Sequence, residues 1–350
     1  MFHLRVHAGP HDRRHCPVSV DLTVDLDGVF TLYQDPGRRP RYVQFESLPS
    51  GSRLTWMIER LDAGQVQDFR LVRTPKRRRP SPRIRWKDLE NEQIEATLDG
   101  APFCIWRFLR DEPPRLLELR PPGAAGAPLL DQVWLHADLW PISPSHTIVA
   151  GQASKVPGAV YGKLTYRCHW LGPRQQRLGE ERTQWTVYAT PERLRLLDLE
   201  SQICATTGPI AFAAPSLNGH LHLRLAEPHH QAAADVICTA AGAVGREAIP
   251  QLPAGWCAIP GSTGLAAFEH PSNPGSGSIW RLSSDGVLSA DPFAAFDRFG
   301  PYVPESRLQL AVGEAATFCY RICALSGDPP VRALRSKYLA YAFPPIVEVL

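Results

Sequence analysis

Hydrophobic and polar residues alternate strictly from Val18 to Leu26: Val18, Val20, Leu22, Val24 and Leu26 are separated by Ser19, Asp21, Thr23 and Asp25. Side chains along a strand point alternately to opposite faces, so this period of two predicts a half-buried strand. The same period predicts strands over 29–34, 54–61, 66–73, 94–98 and 103–109. Together they describe a small immunoglobulin-like β-sandwich over residues 1–112, ending at the linker-like Asp-Glu-Pro-Pro of 111–114. Residues 113–350 continue the pattern, with strands expected over 184–189, 194–205, 219–226, 265–270, 278–283, 307–312 and 317–325. A helix is expected only near the end. There Asp328 can cap, Pro329 or Pro330 suits the first turn, and Val331, Leu334, Tyr338 and Leu339 fall on one face. Many strands with one helix exclude a doubly wound α/β fold. They favour a mostly β protein, a small N-terminal sandwich followed by a large antiparallel one.

Composition adds loops to this picture, because 34 prolines fit neither helix interiors nor central strands. A net charge of +3 selects no class of partner, but its distribution is uneven. Residues 73–87 hold eight basic side chains and no acid, leaving 30 basic against 35 acidic elsewhere. The run Lys76-Arg77-Arg78-Arg79 reads as a solvated loop or as a patch for phosphate or an acidic partner. No nucleic-acid-binding motif accompanies it, so nucleic acid is not the expected partner. The eight cysteines form no C-x-x-C pair, and Cys319 and Cys323 lie in a strand-like run, which favours buried thiols. No stretch reaches the roughly 18 apolar residues of a membrane span. The N-terminus shows no signal-peptide pattern, and the expected location is cytoplasmic. Dinucleotide, Walker, nucleophile-elbow and H-E-x-x-H motifs are all missing, so no cofactor is evident.

Four segments carry candidate chemistry. In His220-Leu221-His222-Leu223-Arg224, residues two apart share a face, so both imidazoles and the guanidinium emerge together while the leucines take the core. That face offers a proton-transfer or metal-ligand pair beside a positive charge, or simply a wetted polar surface. Phe268-Glu269-His270-Pro271-Ser272-Asn273-Pro274 leaves a strand into a turn, where a histidine beside a carboxylate suits acid–base work, or where the turn is only a structured loop. Trp134, His136 and Asp138 share one face of a strand, either as an indole platform with polar groups for a sugar ring or as a core strand. Asp285-Gly286 is a turn signal, and Asp291-Pro292-Phe293 follows it.

Taken in order, these segments resemble the PmoA-like family of bacterial proteins, also described as methane oxygenase, over residues 113–342. Leu-Leu-Asp-Leu-Glu-Ser (196–201) and Thr-Gly-Pro-Ile-Ala-Phe (207–212) resemble the family's central hairpin, and 219–226 resembles the glycine-rich strand after it. Glu-His-Pro-Ser-Asn-Pro (269–274) is similar to the family's acid-His-Pro-x-Asn-Pro turn. Trp280 and 285–293 resemble the next segment, and 308–328 with the final helix match as well. His11-Asp12-Arg13-Arg14-His15-Cys16-Pro17 resembles the opening of longer members, which begin with an extra sandwich. Three places depart from the pattern. A family run rich in histidine is replaced by Gly-Ala-Ala-Gly-Ala-Pro-Leu-Leu-Asp (123–131), although Trp134 and His136 remain downstream. A family Lys-Glu-Gly is Leu217-Asn218-Gly219, and His220 and His222 stand where glycine is usual.

The resemblance implies a supersandwich like that of galactose mutarotase, with a concave face that handles sugar. The function expected on it is proton transfer, as in an isomerase or lyase: epimerisation, elimination or hydration of an oxidised sugar-like substrate. His270 or His136 would move the proton, Glu269 or Asp138 would orient it, and Arg224 would stabilise enolate-like charge. Trp134, His220, His222, Asn273, Trp280 and Asp291 would hold the substrate. A separate redox enzyme would supply the ketone. Two further readings stand beside this one. The first is a non-catalytic sugar- or protein-binding sandwich, favoured by the missing histidine pair, with residues 73–87 docking a partner. The second is a metal-dependent enzyme using His136, His220, His222 and His270.

Overall fold

The computed structural model describes all residues except 38–39, 75–79, 110–111, 124–127, 136–138, 141–145, 150, 173, 213–219, 276, 295–307 and 328–330. The alternating segments become antiparallel strands in sheets of five, eight, three, nine and three strands.

Two small sheets make the first sandwich. In one, Phe2–His7 lies between Val66–Arg73 and Ile346–Val349, with Phe30–Gln34 and Pro40–Arg41 beyond. In the other, Arg13–Leu22 and Val43–Leu48 flank Gly51–Leu61. Their inner faces bury Leu4, Val6, Val18, Leu32, Leu54, Trp56, Phe69 and Leu71. Each such side chain contributes roughly 1.5–3 kcal/mol by leaving water. The alternation that begins at Val18 ends at Leu22, and Val24 is 41% exposed.

The expected boundary at residue 112 is corrected by strand pairing. Ile84–Leu89, Gln93–Leu98 and Ala101–Arg107 belong to the eight-stranded sheet of the second sandwich, so the first ends with Val66–Arg73. The middle pair turns at Asp99-Gly100, where both residues have positive φ (52° and 88°), the backbone of a tight hairpin for which Asp-Gly is suited. Ala101–Arg107 then pairs with Arg115–Leu119, which fastens the hairpin to the later strands. The basic segment is divided in the same way. Residues 84–87 lie in a strand, while Lys76 to Arg79 lie outside the described residues.

The second sandwich packs two large sheets face to face. The eight-stranded sheet runs in the order Ile279–Leu282, Val287–Asp291, Leu221–Leu225, Leu130–Leu135, Arg115–Leu119, Ala101–Arg107, Gln93–Leu98 and Ile84–Leu89. At the centre of the nine-stranded sheet are Arg177–Tyr188, Leu194–Ala205, Ala315–Ser326 and Thr263–Glu269. One continuous core joins the two, with Trp106, Leu223, Trp280 and Leu288 meeting Trp185, Leu199, Phe318 and Ile322. The fold is therefore the expected mostly β double sandwich.

The C-terminal helix, Val331–Ala342, covers the outer face of the nine-stranded sheet and carries Leu334 into a cluster with Leu196, Phe268 and Cys323. Its proposed cap, Asp328 with Pro329 and Pro330, lies outside the described residues. A second helix, Glu227–Val236, was not expected from the alternation. It has proline in its first turn and acidic Glu227 at its positive end. All eight cysteines are free thiols. Among the described residues no helix is long and apolar enough to cross a membrane.

Candidate functional site

Register brings several expected residues onto the outer face of the eight-stranded sheet. Trp134 lies opposite His222, His222 opposite Ser289, and Ser289 opposite Arg281. Directly opposed residues share a face, so these four form a row across the strands. The Trp134 and His222 rings stack with centroids 4.9 Å apart and planes 7° from parallel. Arg115, from the strand on the other side, places its guanidinium 5.8 Å from the indole centroid. Both flanks of Trp134 are thus occupied, and the indole is a rung in a ladder rather than the open platform expected for a sugar ring.

Leu221, Leu223 and Leu225 take the core side, as expected. The opposite side differs from a wetted face, because His222 is only 4% exposed and Ser289 and Asp291 are also buried. Asp291 accepts hydrogen bonds at Oδ1 from the backbone N–H groups of Phe293 and Ala294, each at 3.0 Å, and stands 3.6 Å from Arg281. The loop-forming part of Asp291-Pro292-Phe293 is explained by those two bonds. Arg224, two residues beyond His222 on the same face, is partly exposed and pairs with Asp285 at 3.5 Å.

His220, one residue before its strand, turns toward the nine-stranded sheet. It is 3% exposed, its ring packs 4.1 Å from the Phe318 centroid, and its Nδ1 is 3.1 Å from the Tyr320 hydroxyl. Burial pushes the Tyr320 phenol well above its usual range, and the nearby carboxylates of Glu269 and Asp291 push it further. Glu269 lies directly opposite Tyr320 in the register and is 1% exposed. Its Oε2 accepts from the N–H groups of Gly277 at 3.0 Å and Ser278 at 2.6 Å. Burial raises the Glu269 carboxyl above its ordinary value, against the pull of those amides.

Two expected substrate contacts are corrected. The Asn273 side chain donates to the Cys319 carbonyl at 3.0 Å and accepts from the Cys319 N–H at 2.7 Å, extending the ladder past the strand end. Trp280 is fully buried and donates its Nε1–H to the Ala254 carbonyl at 2.7 Å. Both use their polar groups within the fold.

The expected acid–base pair of Glu269 with His270 does not form, because neighbouring residues at a strand end point to opposite faces. Glu269 faces the interior of the sandwich. His270 faces the outer side, edge-on to Tyr341 of the C-terminal helix at 5.2 Å, with Nδ1 2.6 Å from the Ser272 hydroxyl. On that outer side Arg321 donates to Asp198 at 2.5 and 2.7 Å, and the Tyr188 hydroxyl donates to the same carboxylate at 2.8 Å. Burial, then the charge of Arg321, lowers the His270 pKa. His136 and Asp138 lie outside the described residues. Among the described residues no three His, Cys, Asp or Glu side chains gather to hold a metal ion. The four-histidine metal reading also loses its geometry, since His220 and His270 occupy opposite faces of the nine-stranded sheet.

Tyr320 and Glu181 escape the sequence reading. Tyr320 shares the inward face with Phe318 and Ile322, and only its cross-strand neighbours distinguish it from core. Glu181 is buried and accepts from Trp170 Nε1 at 3.1 Å and from the hydroxyls of Thr183 and Ser201, each at 2.8 Å, while burial raises its carboxyl pKa. Its signal is the inward parity of Glu181, Thr183, Trp185 and Val187, in a strand that begins at Arg177 rather than 184.

A family model described as a family of unknown function, DUF6807, matches residues 130–338. Its description makes no mention of PmoA. No curated protein matches the chain. Among solved structures, an alpha-mannosidase from Enterococcus faecalis V583 is similar over 100% of this chain and 46% of its own, with a TM-score of 0.58 and 10% identity. A protein in the glycosyl hydrolase family 38 from Enterococcus faecalis is similar over 100% of this chain and 47% of its own, with a TM-score of 0.49 and 10% identity. The chain therefore spans about half the length of these two solved structures. At 10% identity the likeness to the alpha-mannosidase is one of fold.

Proposed function

This chain belongs to DUF6807, a family of unknown function, and from its site we propose that it catalyses proton transfer on an oxidised sugar-like molecule. The substrate would lie at the end of the eight-stranded sheet, where His220, just before one strand, and His222 within it adjoin Ser289 and Asp291 on the next. The observation that carries this reading is the buried His220–Tyr320 contact at 3.1 Å, beside Glu269 and Asp291.

In the working tautomer Nδ1–H donates to the Tyr320 oxygen, which fixes the ring and leaves Nε2 as the base. A proton on the carbon beside the substrate's carbonyl passes to Nε2, and its bonding electrons move into an enolate. The Glu269 and Asp291 carboxylates favour the imidazolium so formed, and Arg281 or Arg224 favours the enolate. Delivery of a solvent proton to the opposite face, with the imidazolium giving its own back to solvent, is epimerisation; departure of a neighbouring hydroxyl as water, taking the imidazolium proton, is elimination. A separate oxidising enzyme supplies the carbonyl. The PmoA-like resemblance and the shared fold with an alpha-mannosidase support beginning with sugars.

The test is exchange of solvent deuterium into a panel of keto-sugars by the full chain, followed by NMR. We expect exchange with the native protein, a loss of about 100-fold or more in His220→Gln, and about 10-fold in Tyr320→Phe. Exchange unchanged in His220→Gln overturns the assignment. Sugar binding by thermal shift, with no exchange from any keto-sugar, replaces catalysis with the binding reading.

A further inference from the structure

An arginine occupies a core position near the start of the strand Leu194–Ala205. Arg195, Leu197 and Leu199 share one face, and both leucines belong to the core between the large sheets. Arg195 is 5% exposed, and its guanidinium lies 4.8 Å from the Phe103 ring centroid. Its Nε is buried without a hydrogen bond. Burial lowers the Arg195 pKa, against the pull of Cys104 and Glu192. A guanidinium held in this way is costly to the fold unless something else meets its charge.

What it meets is a cavity of about 550 Å³ lined also by Arg83, Arg120, Asp99, Glu192 and Pro191. Arg83 is already paired with Asp99 at 2.6 Å. Arg120 reaches Glu118 through one terminal nitrogen at 3.0 Å, while its own Nε is buried and unbonded. Two guanidinium groups whose charge is not fully met therefore border one space, and Glu192 is the acid left to oppose them. The volume suits a small molecule. This place is separate from His220. Arg195 pairs with Ala324, whereas His220 touches Phe318, and along a strand those two positions are roughly 20 Å apart.

We propose that this cavity binds a small organic anion, its carboxylate or phosphate accepting hydrogen bonds from Arg195 and Arg120 and its carbon skeleton lying against Pro191. Planar, forked donors match either group, which is why arginine serves both.

The test uses the full chain, with calorimetry and thermal shift against D-glucuronate, glucose 6-phosphate and inorganic phosphate, and with neutral glucose for contrast. We expect at least one anion to bind, and the preferred probe shows whether carboxylate or phosphate is recognised. Arg195→Met weakens that binding about ten-fold or more and leaves the ligand-free melting temperature equal or higher, because an unmet charge has gone. Failure of every anion to bind, or unchanged affinity in Arg195→Met, overturns the proposal. If Arg195→Met does not fold, Arg120→Gln serves instead: weakening by several-fold supports the site, and no change overturns it. Loss of this binding leaves deuterium exchange at His220 untouched, so the two sites are judged separately.

Discussion

Tyr320 and Arg321 are neighbours in one strand, yet they organise two buried polar clusters of opposite character. On the outer face, Arg321 meets Asp198 through two hydrogen bonds and Tyr188 supplies a third. The Tyr341 ring closes over the guanidinium at 4.4 Å. Charge meets charge there, and the cluster is closed. On the inner face, Tyr320 stands among His220, Glu269 and Asp291, three groups able to change protonation, and Arg281 approaches Asp291 only to 3.6 Å. Glu269 uses one oxygen on backbone amides, and its Oε1 has no hydrogen bond. Tyr320 and Arg321 are both buried, so burial of the central side chain does not mark the site. Imbalance does, because a matched pair fixes structure whereas a cluster of weak acids and bases can pass a proton.

The largest effect is expected at the closed cluster. Asp198→Ala strands Arg321 in the interior and should cost about 3–5 kcal/mol in urea unfolding. A cost below about 1 kcal/mol would erase the distinction between the two faces. The next effect is a change of slope at the open cluster. The Glu269 pKa is raised in the folded state, so its share of stability is present below the ordinary carboxylate pKa and disappears as pH climbs through the raised value. Glu269→Gln should remove that decline, and the difference in unfolding free energy between variant and native protein should grow in the variant's favour from about pH 4 to 8. Glu181, raised in the same direction, is present in both proteins and cancels. A difference independent of pH would mean that Glu269 titrates like a surface carboxylate. The smallest effect belongs to Arg224, whose pair with Asp285 is largely exposed. Arg224→Gln should change stability by less than about 0.5 kcal/mol, and its influence should be confined to turnover.

Much of the fold was legible where one face is dry and the other wet. Val66–Arg73 begins and ends where expected, with Phe69 and Leu71 buried on one face. Legibility failed where that contrast is absent. His220 and His222 look like a solvent face because they are polar, but other parts of the chain cover them. Alternation also says nothing of which sheet a strand joins, so the hairpin around Asp99-Gly100 reads as part of the first sandwich although it builds the second. Within the site, the shared face of His222 and Arg224 follows from their spacing. The same rule sets Glu269 and His270 apart, since adjacent residues in a strand diverge. Tyr320 needed the register, because nothing in Phe-Cys-Tyr-Arg-Ile separates a phenol that faces titratable groups from a core one.

The pairing of Phe2–His7 with Ile346–Val349 has a consequence for biogenesis. The two segments are far apart in sequence, so during synthesis the earlier one waits for its companion until everything between them has been made. The first sandwich can collapse early around Trp56, but an edge of its sheet stays open until Ile346–Val349 follows. A late segment thus acts as a latch on an early one.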